Sequence, residues 1–322
     1  MTQSPLDLTV IVLVVERPSP LTVVYQETAE VLQQAGLSFE FIFVSYPWHR
    51  HLTDALTPLR AAGQPIRVLE IGQALGETAL LKAGAAEAAG RVIATVPAYP
   101  QVDPSGLPAL LEKVREGADL AVAHRSPRRD SLVNRAQNRI LHAIIGRLGG
   151  GRLHDVASGL RVMRGELLGQ VPLYGDFVRF LPLVALREGF QVDEVQVPVH
   201  PRAMRGRLYS PGVYLRRFFD VLGLLFLFKF TDKPLRFFGL IGSGLAFAGS
   251  ALLVLVAAQR LAGQPLANRP LLLLGVLLIT LGAQAIALGL IGEIIVHLSA
   301  AGRRRYRLQR SSPLSRPETP AA

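Results

Sequence analysis

The chain has 322 residues, room for one domain of about 200 residues with its own core and an appended module. Half of the residues are apolar, and 35 Lys and Arg against 24 Asp and Glu leave a net charge of +11. There is no cysteine, which excludes disulfides, thiolate metal sites and cysteine nucleophiles.

Through the first half, apolar runs of strand length alternate with helical stretches. The pattern predicts strands at 8–15, 39–44, 66–71 and 91–96, and helices at 21–35, 52–62 and 77–89. Such alternation argues for a mostly parallel sheet covered on both faces. The run at 8–15 is short and has no basic leader, so it reads as a buried strand and not as a signal peptide.

Further along, helices are expected at 108–116 and 134–148 and strands at 120–123 and 192–199. The helix at 134–148 is amphipathic and stops at Gly149, Gly150 and Gly151. No helix opening with Lys-Ser or Lys-Thr follows these glycines, so they mark a helix stop and loop before they mark a phosphate cradle. Residues 200–210 form a basic, turn-rich loop, and 213–230 reads as a helix lying in a membrane interface. Asp220 and Lys229 leave too few apolar residues between them for a span.

Two uncharged stretches follow, at 237–258 and 270–292, the second continuing to 298. Each meets the roughly 20 residues needed to cross about 30 Å of hydrocarbon, so a transmembrane helical hairpin is expected. Lys229, Lys233 and Arg236 precede it, and Arg303, Arg304, Arg305, Arg307 and Arg310 follow. By the positive-inside rule the soluble domain and both termini are cytosolic, on the cytoplasmic membrane. The charge beside the spans suits anionic lipid headgroups, and no nucleic-acid motif competes for it.

Within the first span Gly242, Ala246 and Ser250 recur every four residues, a small-residue face for the second span or another subunit. Glu293 and His297 lie one turn apart near the cytosolic end of the second span. The Pro-, Ser- and Thr-rich stretch 311–322 has the composition of a disordered tail.

Several strings carry a family resemblance. Residues 174–182 read Tyr-Gly-Asp-Phe-Val-Arg-Phe-Leu-Pro, followed by Glu188-Gly189-Phe190 and by Glu194-Val195-Gln196-Val197-Pro198-Val199-His200-Pro201-Arg202. Asp155-Val156-Ala157-Ser158-Gly159-Leu160-Arg161-Val162-Met163, Lys233-Pro234-Leu235-Arg236 and Ile291-Gly292-Glu293 extend the match. In this order the strings resemble the family 2 glycosyltransferases that charge polyprenyl phosphates, the dolichol-phosphate mannose synthase-like group with a C-terminal membrane hairpin, over about 9–307.

The resemblance implies an α/β, GT-A-like domain at 1–207, an interfacial region at 208–236, two transmembrane helices within 237–300, and a basic then disordered tail at 301–322. It implies transfer of a sugar from a nucleotide to a polyprenyl phosphate, with Mg²⁺ or Mn²⁺ held by an Asp-x-Asp pair after a strand. At that place this chain has Pro97 and Tyr99, which cannot supply the two carboxylates. Asp103 is a weak metal candidate and fits a turn or helix cap better.

A pair of aspartates is usual after the second strand, where Ser45 and Tyr46 stand, and a Pro-x-Tyr-Asn-Glu-like string after the first, where Glu16 and Arg17 follow Val15. Tyr46 and Trp48 can stack on a base or on the domain's own loops. Metal would serve as cofactor only if this altered donor site still binds it.

On the acceptor side, Arg125, Arg128, Arg129 and Arg135 form one basic stretch and Arg202, Arg205 and Arg207 another. Arginine can grip a lipid phosphate bidentately. For Arg202 the matching motif favours phosphate, whereas Arg128 and Arg129 suit phosphate and headgroup docking equally. Arg207 is the substitute cation where the family has Ser-Lys. His200 reads as structural, since a phosphate nucleophile is already ionised at neutral pH. Asp155 and Arg161 either reach the cleft or fasten a loop by ion pairing. The expected partners are membrane lipid, polyprenyl phosphate and a nucleotide sugar, with a homo-oligomer or a partner membrane protein as further options. The rival to an active transferase is a pseudoenzyme that binds lipid phosphate beside a partner glycosyltransferase or lipid transporter.

Overall fold

The computed structural model describes residues 6–15, 19–126, 153–173, 175, 177–203, 234–262 and 269–300. They fall into two compact units, one within 1–208 and one within 209–305.

The first unit is built on a seven-stranded sheet. Its strands are β1 (Leu8–Val14), β2 (Phe39–Ser45), β3 (Ile66–Glu70), β4 (Val92–Pro97), β5 (Leu120–Arg125), β6 (Arg161–Arg164) and β7 (Val192–Val197), in the order β3-β2-β1-β4-β6-β5-β7. β6 pairs antiparallel with both neighbours, and the other pairings are parallel. β2 is buried along its whole length and β1 at all but one position, as central parallel strands rich in Val, Ile and Phe should be.

Helix α1 (Leu21–Gln34) buries Leu21, Val24, Tyr25, Thr28, Ala29 and Leu32, a helical stripe. Tyr25 meets Phe41 edge-on at 4.8 Å, and Phe39, Phe41 and Phe43 line the same face of β2 by alternation. Four short helical turns follow β2, including α2 (Arg50–Thr53) and α3 (Thr57–Ala61), where one helix at 52–62 is expected. Pro58 explains the break, because proline lacks the interior N–H and sits comfortably only in a helix's first turn.

Helix α4 (Glu77–Ala86) lies on the opposite face, where Gly84 comes so close that a Cβ there would be 3.0 Å from a Val44 methyl. Leu107, Leu110, Leu111 and Val114 of α5 (Leu107–Arg115) join the α1 side of the core. α6 (Leu167–Gln170) and α7 (Leu181–Arg187) complete the described helices of this unit, α7 starting with Pro182 in its first turn. The helix expected at 134–148, the glycine run, the loop from 204, the interfacial helix and the tail lie outside the described residues.

The second unit is a hairpin of α8 (Pro234–Leu261) and α9 (Arg269–Ala300), both long and apolar enough to cross a membrane. The backbones meet at glycines seven residues apart. A Cβ on Gly242 would lie 2.6 Å from the Gly282 carbonyl oxygen, and one on Gly249 would lie 2.6 Å from that of Gly275. Gly289 continues the seam against Leu235. A strict seven-residue spacing keeps one stripe facing its partner along a left-handed pair. Gly242 and Ala246 belong to it, but Ser250 is exposed and Gly249 takes its place, because the contact repeats every seven residues and not every four. Glu293 accepts the Leu235 N–H at 3.3 Å, satisfying a donor that the first turn of α8 leaves open and tying two of the resemblance strings together.

Candidate functional site

The strand order reverses around β1, whose neighbours are β2 on one side and β4 on the other. In open α/β sheets ligands bind outside the carboxyl ends of the strands at such a switch point. The residues that end β1, β2 and β4, namely Val14, Ser45 and Pro97, therefore mark where the fold offers a ligand position.

Ser45 is fully buried and its hydroxyl has no hydrogen-bond partner among the described residues. Tyr46 is buried too. Its ring stacks on Trp48 at 4.5 Å and 18°, and its hydroxyl accepts the Gly76 N–H at 3.2 Å. Gly76 has φ +80°, a conformation that glycine adopts without strain. His49 Nδ1 donates to the Val14 carbonyl at 2.9 Å, tying the turn after β2 to the end of β1. Of the two aromatics proposed to stack on a base, Tyr46 is taken up by the protein itself, and Trp48, 55% exposed, offers one open ring face.

The loop after β4 is fastened by neutral groups. The Ala98 carbonyl accepts the Ser19 N–H at 3.1 Å, and Gln101 Nε2 donates to the Tyr99 hydroxyl at 3.3 Å. Gln101 Oε1 accepts the Gly159 N–H at 2.8 Å, while Thr95 Oγ1 donates to the Gly159 carbonyl at 2.9 Å. A Cβ at Gly159 would fall 2.6 Å from Pro97, so this approach requires glycine. Asp103 Oδ1 accepts the Ser105 N–H at 2.9 Å, the cap of a short turn.

The 153–161 segment is held by two arginines. Arg125, at the end of β5, grips Asp155 in a fork, with Nε to Oδ2 at 2.5 Å and Nη2 to Oδ1 at 2.8 Å. Arg161, 2% exposed, donates to the carbonyls of Ser158, Val156, Val178 and Arg179. Burial pulls its guanidinium down to about 10, which still leaves it charged at neutral pH. Asp155 thus fastens the loop through Arg125, which sequence reasoning placed at the lipid phosphate.

His200 is nearly buried. Nε2 donates to Glu27 Oε2 at 3.1 Å and Nδ1 accepts the Arg202 N–H at 3.1 Å, so both ring nitrogens are used in structure. Arg202 Nη1 lies 3.3 Å from Glu27 Oε1 with its side chain 65% exposed. Glu27, on α1, joins these groups from 173 residues away in the chain, a relation that no local motif announces. The segment also pairs with the β4 loop, through the Val102–Val199 bridge and the Asp103 N–H to the Pro198 carbonyl at 3.0 Å. Arg202 is therefore attached to the loop that carries Tyr99 and Gln101. Arg128, Arg129, Arg135 and Arg207 lie outside the described residues.

No family model matches the chain. It is 31% identical over 249 residues to a dodecaprenyl-phosphate galacturonate synthase of Rhizobium johnstonii, covering 76% of this chain and 74% of that protein. It is 27% identical over 320 residues to an undecaprenyl-phosphate 4-deoxy-4-formamido-L-arabinose transferase of Pectobacterium carotovorum, covering 97% and 96%. Among solved structures, glucosyl-3-phosphoglycerate synthase from Mycobacterium tuberculosis, in complex with Mn²⁺ and UDP-glucose, matches with a TM-score of 0.53 at 17% identity, over 68% of this chain and 79% of that one. That likeness shows the GT-A fold. By fold and by sequence, the chain belongs to the polyprenyl-phosphate sugar transferases of the glycosyltransferase family 2 type.

Proposed function

We propose that this protein works at the cytoplasmic membrane, transferring a sugar from a nucleotide donor to a polyprenyl phosphate without a metal ion held by carboxylates of the β4 loop. The family relationship supports the reaction class, and the two apolar helices support the membrane. The basic flanks of the hairpin support a cytosolic soluble domain and cytosolic termini.

The observation that carries the metal-free reading is the β4 loop. Pro97 and Tyr99 stand where paired carboxylates would be, and Asp103 is engaged as a turn cap. A proline and a neutral phenol do not fit a hard divalent cation, so charge on the departing diphosphate has to be met by cationic side chains and backbone N–H groups.

In the transfer, an oxygen of the lipid phosphate attacks the anomeric carbon. The bond from that carbon to the nucleotide's terminal phosphate oxygen breaks, and the nucleoside diphosphate leaves with inversion at the sugar. The attacking phosphate is ionised at neutral pH, so no general base is needed, in keeping with His200 serving structure. Arg202 is the described candidate for holding the lipid phosphate, and Arg128, Arg129, Arg135 and Arg207 are its sequence-level companions.

A second reading is favoured by the closure of Tyr46 onto Trp48 and Gly76. In it the donor side is filled by the protein's own groups, and the chain is a lipid-phosphate-binding subunit of a partner glycosyltransferase or transporter. The two readings separate when full-length protein in vesicles with undecaprenyl phosphate is offered UDP, GDP, TDP and CDP sugars. Lipid-linked sugar from the protein alone supports the transferase. Failure to bind or turn over any of these donors contradicts it and supports the subunit reading.

A further inference from the structure

Away from the switch point, three side chains with metal-ligating atoms converge: His124 on β5, His154 on the segment leading to β6, and Glu194 on β7. β5 and β7 are parallel, with Val122 opposite Glu194 and His124 opposite Gln196. His124 and Glu194 therefore project from the same face of the sheet. His154 lays its ring parallel to that of His124, at 5.3 Å and 11°. One nitrogen from each histidine and one oxygen of Glu194 all lie within 4.8 Å of one another.

The carboxylate is already oriented. Glu194 Oε1 accepts the N–H groups of His154 and Asp155 at 2.8 and 2.9 Å, and Oε2 lies 2.9 Å from His154 Nδ1. The Glu194 side chain is 10% exposed and that of His154 67% exposed, so the cluster has a fixed floor and an open side. None of these residues belongs to the donor loop or to the acceptor arginines.

We infer that His124, His154 and Glu194 form a binding site for a divalent transition metal of the zinc class. Two imidazoles and one carboxylate are the donor set such ions take, whereas Mg²⁺ and Ca²⁺ prefer all-oxygen shells. Bonds of about 2.0–2.2 Å at tetrahedral angles set ligand atoms about 3.4 Å apart, so the Glu194–His154 pair at 2.9 Å has to open slightly and wider pairs, up to 4.8 Å, to close, adjustments that rotation of the exposed His154 ring can supply. A fourth position stays open to water from the exposed side. The ion would join the end of β5 to the start of the 153–161 segment, the two points between which the sequence carries Arg128, Arg129 and Arg135. Its role is a clasp beside the Arg125–Asp155 fork, separate from the chemistry of transfer.

The test uses full-length protein in detergent, with its affinity tag removed and its metals stripped by chelator. Zn²⁺ is titrated calorimetrically, and Co²⁺ is followed by its visible absorption. The expected result is one equivalent of Zn²⁺ bound with micromolar or tighter affinity, a Co²⁺ spectrum of low coordination number, and no competition from millimolar Mg²⁺. His154→Ala, at an exposed position where folding should be unharmed, and His124→Ala should each weaken Zn²⁺ at least tenfold, and His51→Ala should not. Binding of less than one equivalent by the unaltered protein, or equal binding by His154→Ala, would overturn the site and leave the three residues a hydrogen-bonded pair with a stacked ring.

Discussion

Arg161 and Arg202 show how burial divides the work of like charges in this protein. Arg161 has its guanidinium inside, and four carbonyls of the 156–179 region depend on it for donors. Arg161→Ala would leave those acceptors buried and unpaired, at a cost of about 3 kcal/mol or more. In a domain of this size that lowers the melting temperature by roughly 10 °C, which a thermal scan in detergent reads directly. Arg202 is mostly exposed, and its pair with Glu27 is worth about 0–1 kcal/mol. Arg202→Ala should leave the melting temperature within about 2 °C while weakening binding of lipid phosphate about tenfold or more, measured as KM for undecaprenyl phosphate. Arg202→Lys keeps the charge without the fork and should fall between. The roles of His200 and Asp103 are legible in the sequence, because a phosphate nucleophile needs no base and an aspartate before Pro-Ser suits a cap. Glu27 is not, since only the folded chain brings α1 beside His200. Nor is the Arg125–Asp155 fork, because an arginine beside other arginines looks like part of a phosphate patch until its carboxylate partner is seen.

Among the elements, the helical hairpin makes the sharpest prediction. The seam repeats every seven residues, so Gly249→Leu should drive a side chain into the Gly275 carbonyl and cost about 2 kcal/mol or more, whereas the neighbouring Ser250→Leu should be nearly neutral. Thermal stability and protease resistance in detergent distinguish the two. Equal effects would restore a four-residue face. Strands β1 to β5 and β7 and helices α1, α4 and α5 announce themselves by alternation, by helical stripes, or by apolar runs bounded by turn residues. β6 escapes such reading because it has four residues, begins and ends in arginine, and runs against its neighbours. The stretch after β2 misleads because its apolar spacing suits one helix while Pro58 divides it. The four-residue repeat places Gly242 and Ala246 against α9 but not Ser250: small residues are frequent along α8, and the choice between Gly249 and Ser250 depends on where α9 presents its own glycines.

At the scale of the whole molecule, the GT-A sheet, the apolar hairpin and the relatives that act on prenyl phosphates belong together. On the proposed metal-free reading, the donor side is where this chain differs from what the family resemblance implies. At the carboxyl ends of β1, β2 and β4 the described side chains are neutral or engaged with the protein itself: Ser45 is buried, Tyr46 is covered by Trp48, and Asp103 caps its turn. Substituting Tyr99→Asp alone should not create Mn²⁺ dependence, because Pro97 would still leave the pair one carboxylate short. The most direct measurement is the initial rate of sugar transfer to undecaprenyl phosphate, taken on the full-length protein in vesicles with its productive nucleotide sugar, in excess EDTA and in millimolar Mn²⁺. The expected result is the same rate within about twofold in both. A rate abolished by EDTA and restored by Mn²⁺ would contradict transfer without a metal held by carboxylates of the β4 loop.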